Sequence, residues 1–169
     1  MTPVATPFFF YMLSGIMIVG GLLVITRKNA VHSALALIVT LLAQAGLYLM
    51  LYAPFVAAVQ IILYAGGIMV LFLFVIMLVN IEQSQKERQY NRMWPAGLLA
   101  AVALGVLFIG VYVKGKSLLP EPMVRLPEDS NTQEIATYLY GNYMFAFEIA
   151  SLLLLVAIIG AVVMAKKRI

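Results

Sequence analysis

The side chains that could do chemistry in this sequence are few and far apart: one histidine, His32, one carboxylate inside an apolar run, Glu148, two amides, Gln44 and Gln60, and Tyr64, four residues after Gln60. A zinc, haem or general-base site needs partners for its histidine, and His32 has none nearby in sequence. It reads as an interfacial or helix-packing residue. No cysteine occurs, which removes disulfides, thiolate metal sites and Cys-ligated iron–sulfur clusters. No glycine-rich loop leads into a helix of a soluble unit, so no nucleotide phosphate is cradled. The methionines are dispersed and read as packing filler. No catalytic residue and no metal site is expected. What remains is hydrogen bonding and protonation at isolated points in an apolar setting.

Composition names that setting. Of 169 residues, 64% are hydrophobic and 11% charged, and the mean hydropathy is +1.02. Soluble domains are about 45–50% apolar and about 25% charged, so this chain lacks the polar residues to cover a water-exposed surface. A cytosolic enzyme, a disordered chain and a nucleic-acid binder are excluded together. The net charge of +4 comes from short basic clusters between apolar runs, with no continuous stripe for nucleic acid. The fold class is an all-α integral membrane protein, with no cleavable signal evident at its start.

A hydrocarbon core about 30 Å thick takes about 20 apolar residues per helix. Five segments qualify, at roughly 8–26, 30–52, 55–79, 95–113 and 143–164, and the whole of 1–169 is expected to form a single membrane domain. Between Lys28 and Glu82 no residue is charged; as one helix that stretch would run roughly 80 Å. The break belongs at Tyr52-Ala53-Pro54, because proline lacks an N–H and disfavours helix in the residue before it. Basic residues set the orientation. Arg27, Lys28, Lys86, Arg88, Arg92, Lys166, Lys167 and Arg168 fall on one side. Lys114, Lys116 and Arg125, diluted by Glu121, Glu128, Asp129 and Glu134, fall on the other. The N-terminus is therefore expected outside and the C-terminus cytoplasmic. Tyr90 and Trp94 before Pro95 fit an interfacial anchor and a first-turn proline. The outer (periplasmic) loop, 114–142, is irregular through Pro120, Pro122 and Pro127. Its second half suggests a short interfacial helix, opened by Asn131 and Glu134, faced by Ile135, Tyr138 and Leu139, and stopped at Gly141.

The third span carries most information. At 100° per residue, Gln60, Tyr64, Gly67, Leu71 and Leu78 share a stripe. Gln60 and Tyr64 each need a partner or a water, because lipid offers none. Gly67 opens a notch for another helix or a file of water. The pair Gly66-Gly67 weakens the helix by about 1 kcal/mol per glycine relative to alanine, so that a π-type bulge or a rotation fits there. Plain small-residue packing is the bland alternative. Gln44, mid-way along the second span, reads as an interhelical hydrogen-bond donor. Glu148 lies a turn or so inside the outer end of the last span, facing the positive end of the helix dipole. It is either a protonatable group on a polar path or a snorkelling helix-start acid.

The run Gln60–Leu78 (QIILYAGGIMVLFLFVIML) resembles the third helix of the subunit J, or chain 6, family of NADH-quinone oxidoreductase, respiratory complex I. The resemblance extends to Asn29-Ala30-Val31-His32-Ser33-Ala34, to Ala45-Gly46-Leu47-Tyr48, and to Phe147 through Ala161 in the last span. It departs from the family at Gly67, where alanine is common, and at Gln60, where some members carry an acid. It departs again near Pro54, often acidic in the family, and near Ala136, often glycine.

The resemblance implies a subunit of the respiratory chain's proton-translocating NADH:quinone oxidoreductase with no active site or cofactor of its own; FMN, iron–sulfur clusters and quinone belong to the complex as a whole. It implies a multi-pass place in the bacterial inner membrane, in lipid, among subunits A, H, K and N. It further implies that the third helix switches between α and π forms to gate a hydrated proton or coupling path. Tyr64, Gly66, Gly67, Met69 and Val70 would be hinge and gate, with Gln44, Gln60 and Glu148 as intramembrane polar groups. The competing readings are a small subunit of a multi-chain cation/proton antiporter or an autonomous transporter, which should carry a mid-membrane acid or an inverted repeat, and a membrane-embedded enzyme, which lacks a catalytic set.

Overall fold

The structure, a computed structural model, describes residues 7–78, 93–115 and 131–166. Among these every regular element is helical: α1 (Pro7–Thr26), α2 (Ala30–Met50), α3 (Pro54–Val59), a π-helical segment (Gln60–Ile68), α4 (Met69–Leu78), α5 (Trp94–Gly115), α6 (Asn131–Tyr140) and α7 (Met144–Ala165). α3, the π segment and α4 run on as one span, Pro54–Leu78. With α1, α2, α5 and α7 it makes five helices long and apolar enough to cross a membrane. Each expected span matches its helix to within about two residues, the usual uncertainty of helix ends. Tyr90, the prolines and acids of 120–129, and the basic residues Lys86, Arg88, Arg92, Lys116, Arg125, Lys167 and Arg168 lie outside the described residues.

The chain divides into two compact units, Met1–Leu126 and Pro127–Ile169. In the first, α1 packs along α2, and α2 packs along the third span. Lipid tails are as apolar as leucine, so helices associate there by close approach rather than by expulsion of water, and the contact residues are small. Gly20 is buried on α1; a Cβ there would collide with the hydroxyl of Thr40 and lie 3.4 Å from the Ala36 carbonyl oxygen. On α2, a Cβ at Gly46 would meet a methyl of Leu13 at 2.9 Å. Ala34, Ala43 and Ala45 on α2 and Ala57 on α3 are buried small side chains as well. α5 belongs to the same unit and none of its residues is buried. It opens at Trp94-Pro95, where Met93 accepts the N–H groups of Ala96 and Gly97 through its carbonyl. Proline suits that position because its missing N–H would have no partner there.

The turn between α1 and α2 is tied by side chains. Asn29 caps α2 by accepting the Val31 N–H at 2.9 Å, and the Ser33 hydroxyl donates to the Arg27 carbonyl at 3.4 Å. His32 is exposed on the first turn between them. The turn from α2 into the third span closes differently. Ala53 N–H donates to the Tyr48 carbonyl and Tyr52 N–H to the Leu49 carbonyl, at 3.0 and 3.2 Å, the Schellman pattern of a helix end. Its left-handed position is Tyr52, with φ 57°, where glycine is usual. Pro54 then starts α3, as the sequence break requires.

In the second unit, α6 bends into α7 at Gly141-Asn142-Tyr143. Gly141 is needed for space rather than for an unusual dihedral: a Cβ would lie 2.9 Å from the Thr137 carbonyl oxygen, and no glycine has positive φ. Tyr140 and Phe147 meet edge-on across the bend with ring centroids 5.3 Å apart. On α6, Ile135 and Leu139 are half-buried while Tyr138 is exposed, so the expected apolar face is covered only in part.

Candidate functional site

The site is the junction at which the third span leaves the α-helical form. From Gln60 the chain is π-helical for nine residues, and it returns to α at Met69, whose N–H donates to the Tyr64 carbonyl five residues back. A π turn holds one residue more than the α turn it replaces, and the burial pattern records this. The buried positions are Ala57, Gln60, Ala65 and Met69, with Leu73 and Ile76 half-buried beyond. Their spacing is that of an α-helix except for the step of five from Gln60 to Ala65.

This step corrects the stripe expected from uniform α geometry. Gln60 and Ala65 are each 7% exposed and Met69 5%, whereas Tyr64 is 48% exposed and Leu71 is also outside the buried face. Gln60 and Tyr64 therefore do not share a face. Of the five expected gate residues, Met69 alone is buried; Tyr64, Gly66, Gly67 and Val70 are exposed on this chain. Among the described residues of its own unit, nothing outside the helix's own backbone comes within 4 Å of a Cβ built on Gly67, so the notch is open there. The two glycines differ. A Cβ on Gly66 would sit 3.2 Å from the Ile61 carbonyl oxygen, tighter than ordinary contact, while one on Gly67 would sit 3.7 Å from that of Ile62. Glycine is thus favoured by the π geometry at 66 and merely permitted at 67.

Gln60, the first π residue, has a buried amide, and it is satisfied. Its Nε2 donates to Oε1 of Gln44 at 3.2 Å, and Nε2 of Gln44 donates to the Tyr48 hydroxyl at 2.9 Å. Gln44 is thus the acceptor of the interhelical bond, and its donation goes along its own helix to a residue one turn on. Tyr48 was not singled out as a site residue from sequence. Two signals point to this constellation: Gln44 and Tyr48 stand four apart on α2, and Gln44 and Gln60 stand eight residues either side of Tyr52, level with each other across an antiparallel hairpin. Glu148 lies in the second unit, exposed on the first turns of α7, with its backbone carbonyl accepting the Ser151 hydroxyl at 2.6 Å. Among the described residues, no three His, Asp or Glu side chains gather as metal ligands would.

The arrangement offers an apolar helix with a π segment and one anchored polar residue. The profile of the family described as NADH-ubiquinone/plastoquinone oxidoreductase chain 6 matches residues 20–164. The chain belongs to this family. NADH-quinone oxidoreductase subunit J of Rhodobacter capsulatus is 38% identical over 93% of this chain and 80% of its own. Subunit J of Escherichia coli K12 is 37% identical over 91% and 83%. NAD(P)H-quinone oxidoreductase subunit 6 from the chromatophore of Paulinella chromatophora is 38% identical over 94% and 77%. The chain 6 match takes in α2, the whole third span and nearly all of α7. It therefore includes Gln44, Tyr48, Gln60, Tyr64, both glycines and Glu148.

Proposed function

We propose that this chain is a membrane-arm subunit of a proton-translocating NADH:quinone oxidoreductase, respiratory complex I, and that its third span gates a hydrated path through that arm. The chain carries no redox centre and no active site; FMN, iron–sulfur clusters and quinone are held elsewhere in the complex. It sits in the bacterial inner membrane with its N-terminus outside, packed in lipid among subunits A, H, K and N, and helps to assemble the arm. Family membership and the five spanning helices support this reading.

The observation that carries the gate is the π segment itself, which contains the glycine pair. Removing the extra residue from its turn would rotate the chain beyond it by about 100° and shift it by about 1.5 Å. Tyr64, Ile68 and Phe72 would then replace Ala65, Met69 and Leu73 on the side facing α2. The opposite surface of the span would lose its exposed tyrosine and would present Gly66 in place of Gly67 at its notch, the features through which water or a neighbouring helix can enter. A change of this kind is driven only if the surroundings bind the two forms unequally. Moving the population from 1:99 to 99:1 takes about 5.5 kcal/mol, which the complex must supply from quinone chemistry. Deletion of the chain tests the assignment: membranes from the deletion strain lose coupled NADH:quinone turnover, and wild-type coupled turnover in them would overturn it.

A further inference from the structure

We propose that Gln44, held in turn by Tyr48, is the positioning residue that fixes Gln60 as the point where the third span departs from α geometry, so that rearrangement is confined to the residues after it. The proposal rests on the gating reading above and adds to it a fixed end and a moving end.

The geometry behind it is a clamp with two jaws, both on Tyr48. The Tyr48 carbonyl accepts the Ala53 N–H at 3.0 Å, which ties the entry of the third span to the end of α2. Its hydroxyl accepts from Gln44 at 2.9 Å, and Gln44 accepts from Gln60 at 3.2 Å. The segment between the jaws, Pro54–Val59, is α-helical and holds Ala57, 1% exposed. Among the described residues, the side-chain hydrogen bond that joins the span to α2 is made by Gln60, at the second jaw. A backbone made pliable by Gly66 and Gly67 has no reason of its own to begin its irregularity six residues upstream at Gln60. A buried amide that must keep its partner in lipid supplies one: slippage of the register before Gln60 would swing its side chain by about 100° and break the bond. Slippage after it leaves the bond intact. Motion is thereby directed toward Met69–Leu78 and kept out of the turn at Tyr52.

The test uses the assembled complex carrying Gln44→Met, Gln60→Met or both, with Tyr48→Phe as a milder variant that removes one hydroxyl. Methionine keeps the length and loses the hydrogen bond. Electron cryo-microscopy of the resting complex, sorted by where the π turn begins, gives the first readout. Proton pumping per NADH oxidised gives the second, which a residue needed only for assembly would not move in fully assembled complex. Interhelical hydrogen bonds in membranes imply that particles with the boundary at Gln60 fall roughly threefold, and at most near twentyfold, relative to those with it elsewhere. The double variant should resemble either single one, because one chain of bonds is being cut. A boundary that stays at Gln60 in all variants, or a double effect equal to the product of the single ones, overturns the proposal. If Gln44→Met fails to assemble, Tyr48→Phe decides, with a smaller change in the same direction expected and an unmoved boundary overturning it. The boundary is scored at rest, so its failure is distinct from failure of the gate, which would show as a third span unchanged between rest and turnover.

Discussion

Gln60 and Ala65, five residues apart, are buried equally on one side of the third span, while Tyr64, which an α-helix would set beneath Gln60, is turned away and half-exposed. The step of five marks one extra residue accommodated in the π segment. From it follow the rotation available to the span and the distinct demands on its two glycines.

Gly66→Ala and Gly67→Ala should therefore behave differently. Alanine at 66 puts a methyl 3.2 Å from the Ile61 carbonyl in the π form, whereas alanine at 67 rests at ordinary contact distance. We expect Gly66→Ala to bias the span toward α and to lower coupled proton pumping several-fold, and Gly67→Ala to pump nearly as the wild type. Pumping in inverted membrane vesicles, normalised to assembled complex, checks this; equal effects at both positions would contradict it.

Gly67→Val is a stronger perturbation at the permissive site. A β-branched side chain stiffens the helix and fills the notch that is open within its own unit. Pumping should fall more than the amount of assembled complex does, and unchanged pumping in a fully assembled variant would count against a hinge at this point.

The spans and the break before Pro54 were legible because length, charge-free runs and proline have local physical consequences that packing in a membrane does not override. The π segment's extent was not. Residues 61–78 are apolar all round apart from Tyr64 and the glycines, so hydrophobic periodicity leaves one register as good as another. The glycine pair signalled that an irregularity is tolerated, but its starting point is set by Gln44, a contact across the hairpin. Gln44 was legible as an interhelical hydrogen-bonding group and misread as its donor, since an amide offers both a donor and an acceptor. Tyr52 was hidden for another reason: its left-handed backbone is imposed by the turn, against the preference of its own side chain.

That strain predicts opposite effects of two substitutions at one position. Tyr52→Gly should stabilise the hairpin by about 0.5–1 kcal/mol, since the left-handed penalty for a side chain is about 1–2 kcal/mol and glycine's greater flexibility offsets part of the gain. Tyr52→Val should destabilise it. Thermal unfolding of the chain in mild detergent, followed by loss of helical circular dichroism, gives the comparison, and a Val variant as stable as the Gly variant would refute the strain.

Gly20→Val should separate α1 from α2, because even the first carbon of a side chain would collide with the Thr40 hydroxyl, itself bonded to the Ala36 carbonyl at 2.9 Å. Overpacking of this kind costs about 1–3 kcal/mol. We expect less assembled complex with normal turnover per complex; normal assembly would show that the helices part more easily than this contact implies.

Glu148→Gln keeps the shape of an exposed side chain on the first turns of α7 and removes its charge. A modest loss of pumping is expected. Complete loss of coupling with full assembly would make Glu148 an obligatory proton carrier.

The central claim is that the third span changes form in use, and the most direct measurement is its backbone in complex frozen at rest and during steady NADH:quinone turnover. The account predicts a π segment at Gln60–Ile68 in one population and an unbroken α-helix in the other, with Tyr64 in the place of Ala65 against α2 and residues 54–60 superimposable. A π segment identical in every particle class of a complex that is pumping protons would contradict it.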